Sequence, residues 1–320
     1  MTLGAVPRVQ ATPEPTEQTR ARYPDEDGFI ERDGVRVFWE RYGDGTPTIL
    51  LLPTWSIMHS RHWKGQIPYL ARHFRVVTFD GRGNGRSDRP QTTAAYDSRQ
   101  FVEDAVAVLD ATGTDRAIVA GFSMGSGYAV QLAAEHPDRV AGAVLIGPSV
   151  GFRPPSMDGP DAAFEGPDPG DVDDWARYNA VAWRRDWPGF ADWFFHRVFN
   201  EPHSTKQIED CVGWALETDP GTMIVAEYAP YLRPPESWGE RPHEEPTSLS
   251  FLRRIECPVL VIHGENDELT RSETAQRLAD ELGTPRLELG GTGHCPLARE
   301  PVVINLLIAR FVRSIAGTQP

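Results

Sequence analysis

RAIVAGFSMGSGYAVQLAAEHP, residues 116–137, decides how the rest of the chain is read. RAIVAGF is a short apolar run of the kind found in a strand buried on both faces. After Ser123 comes a run of small helix-forming residues stopped by Pro137. Between the two lies Gly121-Phe122-Ser123-Met124-Gly125, a G-x-S-x-G spacing. A serine on a sharp strand-to-helix turn sits in strained backbone, so its neighbours two positions away must be small. The turn lifts the hydroxyl above the sheet edge, and the helix N-terminus behind it favours developing negative charge. The spacing alone also fits an ordinary loop. The strand before it and the helix after it make Ser123 the candidate nucleophile.

Strands and helices alternate outward from this turn. TILLL (48–52) and RVVTFD (75–80) read as buried strands, with a helical stretch around 61–72 between them. FVEDAVAVLDATG places apolar residues at helical spacing within a helix over 98–112, and ends on Gly113. VAGAVLIGPS (140–149) is a further strand. Upstream, GFIERDGVRVFWERYG (28–43) sets two β-rich runs about Asp33-Gly34, a pair suited to the positive φ of a tight hairpin. Downstream, the alternation resumes with CPVLVIHG (257–264), a helix over 272–282, RLELGG (286–291) and a final helix over 302–316. Strand and helix in succession predict right-handed crossovers and an α/β fold with a mostly parallel, doubly wound sheet.

Two segments stand apart. Residues 1–27 are rich in Pro, Glu, Thr and Arg and read as a flexible tail. Residues 151–250 begin with clustered proline and glycine, then gather aromatics in WRRDWPGFADWFFHRVF, and hold six of the nine tryptophans. Their patterning is helical, as in SFLRRI, and they read as an inserted helical cap. The α/β core therefore divides into 28–150 and 251–320.

A serine hydroxyl is a weak nucleophile and needs an adjacent base that a carboxylate orients. His294, in GTGHCPLAREP, follows the strand RLELGG and overhangs the sheet edge; none of the other eight of the nine histidines has that setting. In VLVIHGENDELT, Asp267 stands three residues after Gly264 at a strand end, with Glu265 and Glu268 as competing carboxylates. The order Ser, Asp, His is the one this architecture uses.

Composition bounds the rest. A 320-residue chain that is 40% apolar buries a sizeable core. The net charge of −14 argues against nucleic acid and anionic membrane surfaces as partners. No run approaches the roughly 18–20 apolar residues of a membrane span, and the N-terminus lacks a secretion signal's apolar region. Cys211, Cys257 and Cys295 are too few and too scattered for a disulfide framework or a metal site. The expectation is a cytoplasmic protein acting on a small molecule, with no metal or organic cofactor. Nothing in the sequence sets an oligomeric state.

With these residues in place the sequence resembles the α/β-hydrolase superfamily over 28–150 and 250–316. FDGRGNGRSD (79–88) is similar to the D-x-R-G-x-G-x-S-D string of many members, and is read as structural. One departure concerns the oxyanion loop. The family's strand usually ends in His-Gly, whereas this one runs LLLPTWSIMHSRHW, with Pro53-Thr54 in those places. The resemblance implies an oxyanion hole built from the N–H of Met124 and that of Trp55, with Ser56 as the alternative, since Pro53 has no N–H. The Pro-Thr-Trp-Ser string is similar to haloalkane dehalogenases, but those enzymes and the related epoxide hydrolases attack with aspartate. The wider segment also resembles hydrolase-like domains found beside nucleotide-cyclase domains, and these 320 residues contain no cyclase.

Several residues carry two readings. His59, Arg61 and His62 offer polar groups to a substrate or, as the plainer expectation, face solvent at a helix start. Cys295 is read as a packing residue. Trp183, Trp187, Trp193, Phe194 and Phe195 are read as the cap's own core, with some lining an apolar pocket. The function expected is hydrolysis of an ester-type bond through an acyl-enzyme. The alternatives are an acyltransferase or other non-hydrolytic enzyme using the same residues, and a ligand-binding or regulatory protein on the same scaffold.

Overall fold

The computed structural model describes residues 20–151, 164–238 and 246–317. Most of the expected N-terminal tail and the Pro/Gly cluster at 152–163 lie outside them. Eight strands form one sheet: β1 (Glu26–Arg32), β2 (Val35–Tyr42), β3 (Thr48–Leu51), β4 (Arg75–Phe79), β5 (Ala117–Phe122), β6 (Val140–Ile146), β7 (Val259–Gly264) and β8 (Arg286–Leu289). Their order is β1-β2-β4-β3-β5-β6-β7-β8. β2 is antiparallel to β1 and β4, and the remaining pairings are parallel. The hairpin turns on Asp33 and Gly34, at φ 52° and 75°, as the Asp-Gly pair predicts.

Strand periodicity sorts the core into two layers. Ile49, Leu51, Val76, Ile118, Ala120, Val144 and Ile146 face one side, with Ile304, Ile308 and Val312 of the helix Pro301–Ile315. Leu50, Val77, Ala117, Val119, Ala143 and Leu145 face the other, against the helices Ser98–Ala111, Met124–Glu135 and Ser272–Leu282. Both faces are covered, which is why these strands read as unbroken apolar runs. Among the described residues no helix is long and apolar enough to cross a membrane.

Between β6 and β7 the described residues form helices and no strand, chiefly Ala180–Arg185, Trp187–Val198, Thr205–Ala215, Pro220–Glu227 and Thr247–Leu252. Their starts follow capping chemistry. Asn179 accepts from the N–H of Val181 and Ala182, Asp186 from Gly189, and Asp219 from Thr222, with a proline in the first turn after each aspartate. Trp183 and Phe195 are fully buried, and Trp187, Trp193 and Phe194 nearly so.

The structure departs from the expected element boundaries in two places. The helical stretch around 61–72 is broken into a 3-10 turn, Ser60–Trp63, and a short helix, Ile67–Leu70, because Pro68 lacks the N–H that a continuous helix requires. Order also begins before residue 28. Arg20 is drawn inward to Glu40 at 2.7 Å and donates to the Tyr42 hydroxyl at 3.0 Å, since buried Glu40 needs cations around it.

The FDGRGNGRSD string has a structural role. Arg82 binds Asp104 through two hydrogen bonds of 2.7 and 2.9 Å, and Arg32 adds a third at 2.7 Å. All of Asp104 is buried, so one carboxylate ties the loop after β4 and the end of β1 to the helix Ser98–Ala111. Asp104→Ala strands two guanidinium groups and should cost about 3–5 kcal/mol in urea unfolding. A cost below about 1 kcal/mol, the level of a surface pair, contradicts this role.

Candidate active site

The strand order turns back on itself at β3 and β5, and the loops leaving the C-terminal ends of such strands meet in one crevice. Ser123 sits there at φ 52° and ψ −121°, a conformation that costs a side-chain-bearing residue on the order of 1–3 kcal/mol. Hydrogen bonds on both sides hold it. Its N–H donates to Ile146 at 2.9 Å, and its carbonyl accepts from Ser126 and Ser149 at 2.9 and 3.2 Å. The flanking glycines are steric requirements. A Cβ on Gly121 would meet the Gly125 carbonyl oxygen at 2.1 Å, and one on Gly125 would meet that of Pro53 at 2.4 Å. The loop after β3 thus lies directly against the serine turn.

The other two predicted residues reach the same point. His294 Nε2 is 2.9 Å from Ser123 Oγ, and its Nδ1 is 2.8 Å from Asp267 Oδ2. An ionised carboxylate only accepts, so the hydrogen on Nδ1 points to Asp267 and Nε2 is left to accept from the serine hydroxyl. Asp267 Oδ1 also accepts from the N–H of Leu269 and Thr270, and Oδ2 from the Thr270 hydroxyl at 2.6 Å. Burial pushes the Asp267 carboxyl upward, but the charge and hydrogen bond of His294 and the Thr270 bonds outweigh it and hold it well below the usual range. Of the competing acids, Glu265 instead accepts from Gly291 N–H and Glu268 is exposed.

Met124 opens the nucleophile helix, where its N–H has no intrahelical acceptor, and neither it nor the Trp55 N–H bonds to backbone among the described residues. The Ser56 hydroxyl donates to the Arg82 carbonyl at 2.8 Å, tying this loop to the one after β4. The Trp55 ring packs on Tyr178, Trp183 and Phe194 at 5.3–6.0 Å, joining this loop to the helical insertion.

His59, Arg61 and His62 do not face solvent; all three are buried. Arg61 donates to Glu40 at 2.9 Å, His59 lies 3.3 Å from Glu217, and His62 Nδ1 is 2.9 Å from the His59 carbonyl. Burial pulls His62 down to about 4, keeping the ring neutral. The buried Glu40 charge explains the difference, since it draws the segment inward. Cys295 is buried and burial pushes its thiol upward, as befits a packing residue.

A second group of contacts was not legible in the sequence. Val198 accepts from the His294 N–H at 3.2 Å, Asn200 Nδ2 donates to the Asn266 carbonyl at 2.8 Å, and Glu201 accepts from Gly293 N–H at 3.2 Å. The insertion therefore grips the loops that carry His294 and Asp267. Ordinary polar residues after a helix give no signal of this.

The family model described as alpha/beta hydrolase fold matches residues 47–301. A bifunctional esterase/perhydrolase of Acinetobacter calcoaceticus is 28% identical over 300 residues, covering 90% of this chain and 100% of its own. A non-heme haloperoxidase of Rhodococcus erythropolis is 30% identical over 287 residues, covering 88% and 97%. The solved structure of an esterase from Exiguobacterium antarcticum superposes with a TM-score of 0.71 at 20% identity, covering 89% and 98%.

The depressed native value of Asp267 has a consequence for stability. Its ionised form contributes stability above the ordinary carboxylate value, near pH 4, and that contribution is lost as pH falls toward the lower native value. The stability gap between wild type and Asp267→Asn should therefore narrow from about pH 5 to about pH 3. A gap constant over that window would show that the carboxylate is not held ionised by the fold.

Proposed function

The chain belongs to the α/β-hydrolase family, and from that footing we propose that it is a serine hydrolase that cleaves an ester-type bond of a largely apolar small molecule through an acyl-enzyme. One observation carries the reading: Ser123 Oγ, His294 and Asp267 form an unbroken chain at 2.9 and 2.8 Å on a strained turn. His294 takes the hydroxyl proton as Ser123 Oγ attacks the carbonyl carbon. Asp267 holds the imidazole and stabilises the charge it gains. The N–H groups of Met124 and Trp55 receive the oxyanion, a contribution of about 3 kcal/mol per donor. His294 then protonates the leaving group, and afterwards takes a proton from the water that hydrolyses the acyl-enzyme. The chain's own side-chain and backbone groups, with water, suffice for every step.

The helices between β6 and β7 act as a cap in this reading. Trp183, Phe194 and Tyr178 around Trp55 support an apolar pocket. The esterase names among the relatives agree with the bond class. The three unpaired cysteines support a reducing cytoplasm as the site of action.

Intact-mass spectrometry after a fluorophosphonate should show a single adduct that Ser123→Ala abolishes. A p-nitrophenyl ester series should report the acyl length that the pocket accepts. Asp267→Asn, which removes the negative charge and can present an N–H to the imidazole and favour the wrong tautomer, should lower kcat by roughly 10³–10⁴-fold. A folded wild-type protein that takes no adduct and cleaves no ester of the series would exclude the serine-hydrolase reading and favour ligand binding on the same scaffold.

A further inference from the structure

Glu227 ends the helix Pro220–Glu227, in the insertion whose aromatic residues pack on the Trp55 loop. The Tyr178 hydroxyl donates to Glu227 Oε2, and the Tyr178 ring stacks on Trp55 at 6.0 Å. The buried Trp55 indole N–H closes no hydrogen bond of its own, yet it is near enough to Glu227 to favour the charged carboxylate. Tyr128, five residues after Ser123 on the nucleophile helix, feels the same charge. Four residues beyond Glu227, the Tyr231 hydroxyl donates to the carbonyls of Met124 and Ser149 at 3.0 and 2.8 Å. The chain just beyond Glu227 is thereby tied to the start of the helix that follows Ser123.

Its other surroundings are aromatic. Phe164 lies 5.5 Å from Tyr178 and 6.0 Å from Tyr228. Burial pushes the Glu227 carboxyl up to about 7, against the Tyr178 hydrogen bond and the nearby Trp55 N–H, and no cation offsets it among the described residues. A carboxylate kept in such a place without a basic partner costs stability. The proposed hydrolysis makes no use of it, since Asp267 already serves His294.

We propose that Glu227, with the faces of Trp55 and Tyr178, binds a positively charged ammonium group on the substrate, so that the favoured substrate is an otherwise apolar ester carrying one basic nitrogen. A cation gains from the carboxylate and from the negative faces of the rings together. An anionic substrate is repelled, and a neutral one leaves the carboxylate uncompensated. The net charge of −14 biases the field around the chain in the same direction. The inference rests on the serine-hydrolase reading for its kinetics and not for its binding.

Both aspects are tested at about pH 8.5, where the carboxyl is ionised. Butyrylcholine and its uncharged isostere 3,3-dimethylbutyl butyrate differ only in the cation. Wild type should favour the choline ester by roughly tenfold or more in kcat/KM, and Glu227→Gln, which keeps the shape and an acceptor for Tyr178, should bring the ratio toward one. Calorimetry with benzyltrimethylammonium should show binding that Glu227→Gln weakens by roughly tenfold. Equal turnover of the two esters by wild type overturns the proposal, as does benzyltrimethylammonium binding that is absent in wild type or undiminished in Glu227→Gln. If Ser123 takes no fluorophosphonate and neither ester is cleaved, the serine-hydrolase reading fails alone. Calorimetry then decides the ammonium site by itself.

Discussion

A side-chain-bearing residue at positive φ stays there only if everything around it fits no other arrangement. At Ser123 that fit comes from β5 and β6 through the Ile146 carbonyl, from the nucleophile helix through Ser126, and from the loop after β3, which presses its Pro53 carbonyl against Gly125. Three elements distant in sequence thus meet at one backbone turn. The placement of His294 and of the Met124 and Trp55 N–H groups has meaning only because this turn holds the Ser123 hydroxyl in one position.

The same close approach recurs on the acid and base side. A Cβ on Gly264 would meet the Gly293 carbonyl oxygen at 2.1 Å, so the loop carrying His294 can lie against the end of β7, three residues before Asp267. The helical insertion completes the assembly through Val198, Asn200 and Glu201. Two carboxyl groups near the site are driven in opposite directions by their surroundings. Asp267 has an imidazole, a hydroxyl and two backbone N–H groups and is held ionised. Glu227 has aromatic rings, the Tyr178 hydroxyl and a nearby Trp55 N–H, and burial prevails.

Much of this was legible before any coordinates. The strands β3 to β8, the Asp33-Gly34 turn and the contexts of Ser123, Asp267 and His294 follow from local pattern, because each is a short-range consequence of backbone chemistry. Local pattern prefers Asp267 over Glu265 and Glu268 without separating them, whereas in the fold Asp267 meets His294 and Glu265 bonds to Gly291. The solvent-facing expectation for His59, Arg61 and His62 failed because Glu40, some twenty residues upstream, is buried and draws Arg61 inward.

The sequence by itself determined the alternation of strand and helix, the sharp turn at Ser123, and Asp267 and His294 as candidates at strand ends. These depend on periodicity, on φ, and on which residue types do chemistry at strand ends. Only the tertiary structure decided which carboxyl meets which imidazole, that the insertion grips the loops of Asp267 and His294, and that Glu227 stands beside Tyr178 and Trp55. Those relations join residues tens to nearly two hundred positions apart, and spatial adjacency over such separations comes from packing, which no local pattern encodes.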